Sequence, residues 1–212
     1  MGPPADPVLL VLLGLRLRGF GPADRVGDAV GVAPELARRT LVACAAQGWA
    51  VHREGRVGWS LTPAGRAEGE RLLREELDGA GVPRAAVEEA YRRFRRLNGE
   101  LLAVCTAWQV RDGIGPNDHG DEAYDAEVIE RLAALHEAVV PTCRALAGAL
   151  RRFGGYEARF SHALERVRAG DGDWFAGATV GSYHSVWFEL HENLLATLGI
   201  DRSREGPSQD DD

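Results

Sequence analysis

Three histidines and two tryptophans sit where a helical period places them among apolar residues. His184, Trp187, His191 and Leu194 recur at i, i+3, i+7 and i+10, one face of a helix. His136 falls between Leu132 and Val139 in a second apolar stripe, and Trp108 ends a third. Asn98, Cys105 and Cys143 occupy further inward positions. Aromatic side chains offer a ligand area, and imidazole or amide groups orient it. Trp108, His136, His184, Trp187 and His191 are therefore the candidate small-molecule contacts. Each also has a plainer reading, as a core residue hydrogen-bonded to a neighbour.

Metal chemistry fits these residues less well. His184 and His191 are two turns apart, whereas a zinc helix offers two ligands one turn apart. The oxygen-rich run Asn117-Asp118-His119-Gly120-Asp121 lacks the twelve-residue calcium pattern and reads as a polar turn and helix cap. No metal and no cofactor is predicted. The phosphate-cradling and nucleophile-elbow motifs are absent, so no catalytic residue is assigned. A His–Glu or Cys–His pair assembled across helices stays open, because such pairs are neighbours in space and not in sequence.

The second available chemistry is cationic. The 25 basic residues are all Arg, so every cation can make bidentate contacts to phosphate or carboxylate. Residues 1–66 carry eight Arg against five acids, and the remainder carries 17 against 27. A basic head on an acidic body suits a nucleic-acid-binding module joined to something that does not bind nucleic acid.

The elements of that head follow from turn chemistry and period. Pro7 opens a helix reaching Arg18, which Gly19, Gly21 and Pro22 break. A short helix over 23–30 stops at Gly31, and a second runs from Ala33-Pro34 to Gly48 with Ala37, Leu41 and Cys44 inward. The period then changes to two. Trp49, Val51 and Arg53 alternate with Ala50 and His52, Glu54-Gly55-Arg56 turns, and Val57, Trp59 and Leu61 return, which predicts a β-hairpin. Thr62 caps the next helix with Pro63 at its first position.

Gly31-Val32, Leu41, Cys44, Gly48, the Arg53–Arg56 wing and Leu61-Thr62-Pro63-Ala64-Gly65-Arg66 together resemble the winged helix-turn-helix regulators of the MarR and PadR type. The resemblance covers roughly residues 8–78 and implies a double-stranded DNA partner. It points to Arg38 and Arg39 on the second helix as base or phosphate readers. Arg53 and Arg56 fall in the wing, where minor groove or phosphates are in reach. Arg16, Arg18 and Arg25 are candidates for further phosphate contacts. Glu35, Leu36 and Val42 share the outer face of the second helix and suit DNA less well. Winged helices also serve as protein-docking modules.

Beyond the hinge at Gly79, Gly81 and Pro83, four helical stretches are predicted: 83–112, 121–153, 156–169 and 182–198. Val87, Tyr91, Phe94, Asn98, Leu101, Cys105 and Trp108 form the first inward stripe. Ile129, Leu132, His136, Val139, Cys143, Leu146 and Leu150 form the second, with a kink expected at Pro141.

The expected architecture is mainly α. A winged helix-turn-helix with a small β-hairpin wing (1–78) precedes an α-helical bundle that senses a ligand (79–202), and a disordered acidic tail (203–212) follows. Val8–Leu15 is too short to span a bilayer, so no membrane partner is expected. Three cysteines without C-x-x-C spacing argue against a disulfide scaffold or structural zinc and for a reducing, cytoplasmic compartment. The functional expectation is a homodimeric DNA-binding transcriptional regulator whose bundle senses a small-molecule effector. The alternatives are a small-molecule-converting or metal-dependent enzyme with a repurposed winged helix, and a protein-interaction adaptor.

Overall fold

A computed structural model describes residues 6–53, 58–79, 81, 84–111 and 115–202. The chain is mainly helical, with a small antiparallel sheet near its start. Helix α1 (Pro7–Arg18) is capped by Asp6, whose carboxylate accepts from the Val8 amide, one of the donors a first turn leaves orphaned. The helix is apolar on nearly every side because it lies between two cores. Val11, Leu12 and Leu15 face Val26 and Leu41, whereas Leu9, Leu13 and Leu17 pack with Leu73 and Ala196.

Strand β1 (Phe20–Gly21) follows, then α2 (Ala23–Val30), α3 (Pro34–Ala46), β2 (Ala50–Arg53), β3 (Gly58–Leu61) and α4 (Pro63–Gly79). The predicted strands pair antiparallel, with His52 opposite Trp59; their turn, Glu54-Gly55-Arg56, lies outside the described residues. Phe20–Gly21, expected only as a helix break, pairs with the free edge of β3, giving the order β1-β3-β2. A two-residue strand carries no periodicity, so sequence alone does not reveal it.

Thr62 caps α4 as expected: its hydroxyl donates to the Gly48 carbonyl at 2.7 Å and accepts from the Gly65 amide at 3.0 Å. Gly65 is required by close approach, since a Cβ there would stand 1.9 Å from the Trp49 carbonyl oxygen.

The larger core is built by α5 (Arg84–Gln109), α6 (Glu122–Ala149), α7 (Tyr156–Arg168), α8 (Asp173–Ala176) and α9 (Tyr183–Leu198). A two-stranded ribbon, β4 (Val110–Arg111) with β5 (Gly115–Pro116), closes the end of α5. The predicted α5 stripe is inward, with Asn98 and Trp108 half-buried. On α6, Val128 is buried and Ile129 only half so, and the helix runs through Pro141. It ends at Ala149, and Arg151–Phe153 forms a separate 3-10 turn where a continuous helix was expected. Helix α9 is buried on most sides, packed against α4, α5, α7, α8 and α1, and Gly199 stops it in the left-handed conformation. No described helix is long and apolar enough to cross a membrane.

An ionic seam joins α1 and α4 to α7 and α9. Arg16 reaches Glu70 at 3.1 Å and Glu192 at 2.8 Å. Arg18 meets Glu189 at 2.9 Å, and Glu189, 3% exposed, also holds Arg159. Arg152 is buried against Glu76, Asn193 and Thr197. Arg16 and Arg18, expected as phosphate contacts, are thus turned inward onto carboxylates that only the tertiary fold supplies.

Candidate functional site

The cationic residues come first. Ala37, Thr40, Leu41 and Cys44 bury one face of α3, so Glu35, Leu36, Arg38, Arg39, Val42 and Ala43 are left facing solvent. Arg38 is ion-paired with Glu35 one turn before it. Arg53 is exposed at the end of β2, beside a His52 ring tilted onto Trp59 at 4.8 Å. Arg56 lies outside the described residues. Arg25 is exposed on α2.

The aromatic and histidine candidates divide into two places. Trp187 is buried; it stacks on Phe94 at 4.5 Å and donates its indole N–H to Asn98 Oδ1 at 3.1 Å. His191 lies against the same Phe94, 5.5 Å between ring centroids. Tyr183 bridges from Trp187 to His136, whose ring it meets edge-on at 6.1 Å. Ser161 Oγ and Tyr183 Oη each stand 3.4 Å from a His136 nitrogen. Burial pulls the His136 pKa below the ordinary imidazole value, outweighing the carboxylates Glu137 and Glu157. His184 is half-buried in the first turn of α9. The fold therefore gathers His136, Trp187 and His191 into one aromatic core and leaves Trp108 elsewhere.

Trp108 lies at the mouth of an open cleft of ≈ 730 Å³ between the end of α5, the 117–121 turn and the chain around α8. One indole face stacks on Phe175 at 4.4 Å with planes 4° apart, and the His119 ring stands 4.3 Å away. Trp174 also lines the cleft, its ring edge-on to His162.

His119 is held firmly. Its Nδ1 lies 2.9 Å from Asp125 Oδ2. The buried Asn117 reaches Trp108 O at 3.1 Å, Asp125 Oδ1 at 2.8 Å and His119 Nδ1 at 3.2 Å. An amide has two hydrogens, so the consistent assignment sends them to Trp108 O and Asp125 Oδ1. His119 Nδ1–H then donates to Asp125, and Nε2 remains as an acceptor. His119 also has φ 57°, a conformation rare for a side-chain-bearing residue and maintained here by that network.

The turn is tied down on its outer side too. Asp121 accepts from the Tyr124 amide and pairs with Arg111 at 2.9 Å, and these contacts hold its carboxyl below the usual range. Tyr124 in turn donates to Ala107 O at 2.9 Å, and Arg111 lies over its ring.

Asp121 caps α6 as the sequence indicated, but sequence reasoning missed the His119–Asp125 pair. Its signal is a histidine six residues before an aspartate, which acquires meaning only when α6 starts between them. Trp174 and Phe175 were missed because a four-residue helix is too short to show a period. Among the described residues, no three His, Cys, Asp or Glu side chains cluster to hold a metal ion. No family model, curated protein or solved structure matches the chain.

Proposed function

We propose that the chain is a winged-helix DNA-binding regulator, working as a homodimer, whose helical body receives a small-molecule effector. The observation that carries this reading is the open outer face of α3. The succession α1-β1-α2-α3-β2-β3, with sheet order β1-β3-β2, suits a winged helix, and its remaining sides are packed. Arg38 and Arg39 then enter the major groove, and Arg53 and Arg56 hold flanking phosphates or the minor groove. Arg38 must exchange Glu35 for DNA on binding. A dimer is needed because one small module buries too little surface for tight specific binding, and two-fold sites match two-fold proteins. An effector in the Trp108 cleft acts by binding one arrangement of the two heads better than the other.

The test is fluorescence anisotropy with the upstream DNA of the chain's own gene against a scrambled duplex, over a range of salt. The expected result is specific binding that weakens steeply with salt and is lost in the Arg38→Ala/Arg39→Ala double variant. Equal weak binding to both duplexes overturns the reading. A second reading has one observation in its favour: Leu36 and Val42 are 36% and 56% exposed on the same face, as apolar contacts to a protein partner would be. That reading expects a stable heteromeric complex and no salt-dependent DNA affinity.

A further inference from the structure

We propose that the Trp108 cleft binds a small organic cation, an ammonium or amidinium carrying a flat apolar group. The regulatory meaning of this site rests on the effector reading above, whereas the binding itself does not. Charge separates the possibilities first. The cleft is lined by Asp171 and Asp173, and among the described residues no Arg lines it. Among those residues Asp171 is compensated by Arg166, whereas Asp173 is not, so an entering anion meets an uncompensated carboxylate and a cation supplies the charge it lacks.

The walls make the second argument. Trp108 and Trp174 both border the space and offer indole surface to a flat apolar group. Trp174 already holds one flat cation of the protein's own: the Arg166 guanidinium, from α7, stands 5.7 Å over its ring and is ion-paired with Asp171. Asp173 has no such partner among the described residues.

The third argument is the acceptor. Asp125 takes the Nδ1–H of His119, and in the neutral ring that tautomer offers Nε2 as the acceptor for a ligand N–H. Asp173 supplies charge, His119 direction and the indoles apolar area. That is the division of labour expected of a small-molecule site, and ≈ 730 Å³ falls within the range of such sites.

Isothermal titration calorimetry on the full chain tests this with three probes of one shape: phenethylammonium, phenylpropionate and phenethyl alcohol. Saturable binding of phenethylammonium is expected, at least about tenfold tighter than either other probe. Asp173→Asn and His119→Ala should each weaken it about fivefold or more, with the melting temperature of Asp173→Asn near that of the parent chain. Three outcomes overturn the proposal: no saturable binding of the cation up to about 10 mM, similar affinity for all three probes, or affinity unchanged in Asp173→Asn. DNA anisotropy is a separate measurement on the same protein. Cation binding without DNA binding removes the regulator and keeps the site; DNA binding without cation binding does the reverse.

Discussion

Cys44, Cys105 and Cys143 are buried and free, and burial raises their thiol pKa values to about 11, about 11 and about 12. A thiolate is the reactive form, so all three are inert in the folded chain. A thiol reagent such as dithionitrobenzoate should label none of them in buffer and all three in denaturant. Rapid labelling of one in buffer would show that its surroundings open. His136 gives a second prediction at this scale. Its pKa is lowered in the fold because desolvation disfavours the imidazolium, while the unfolded chain keeps the ordinary value near 6.5. The unfolded state therefore takes up a proton that the folded state refuses. This contribution to stability is complete above about pH 6.5 and is lost as pH falls below it. The melting temperature should decline from pH 7 toward pH 5, and His136→Asn should flatten that part of the profile. A variant with the parent's full slope would place the titrating group elsewhere.

Individual elements are held by contacts that differ in kind. The junction of β3 and α4 depends on contact distance at Gly65, where a methyl group would stand 1.9 Å from the Trp49 carbonyl oxygen. Gly99, on the exposed side of α5, has nothing within 4 Å of the same added atom. The two glycines should respond to alanine with opposite signs. Gly65→Ala is expected to destabilise by about 2–3 kcal/mol through overpacking. Gly99→Ala should stabilise by about 0.5–1 kcal/mol through lower backbone entropy in the unfolded chain. Urea melts of the two variants measure both, and equal effects would sink the packing argument. These elements were legible to different degrees. Long periodic runs such as 84–109 and 183–198 announced themselves, because many turns repeat one burial pattern. Phe20–Gly21 and Asp173–Ala176 did not, because two and four residues cannot show a period and exist as elements only through their partners.

Across the whole molecule, the first helix belongs to two cores at once, and the seam beside it is ionic. Glu189 is the centre of that seam, 3% exposed and held by Arg18 from α1 and Arg159 from α7. Removing the carboxylate leaves two guanidinium groups facing each other without a counter-charge. Glu189→Ala should cost about 3 kcal/mol, the low end for a broken buried pair because both arginines keep some contact with water. The parent chain should unfold in one transition, since Leu9, Leu13 and Leu17 pack with Leu73 and Ala196 across the same boundary. In Glu189→Ala the transition should broaden or divide in scanning calorimetry. A loss below about 0.5 kcal/mol would mean that the apolar contacts alone couple the two parts.

What the sequence determined by itself was local. Helical periods, the two strands of the hairpin, the Thr62 and Asp121 caps and the Gly199 stop all depend on residues a few positions apart, and backbone geometry is set at that range. The inward side of α5 and α9 was legible for the same reason, so Trp187 and His191 were placed among apolar neighbours correctly. Which inward residues share a space was decided only by tertiary packing. Trp108 continues the α5 stripe that holds Phe94, yet it leaves the Phe94–Trp187 core for a cleft with His119 and Phe175. Arg16 and Arg18 read as candidate phosphate contacts until α1 was laid along α9, where Glu192 and Glu189 meet them. A period tells which way a side chain points, but its partner comes from another element, and the distances that settle such pairings span from about 10 to more than 170 positions in the chain.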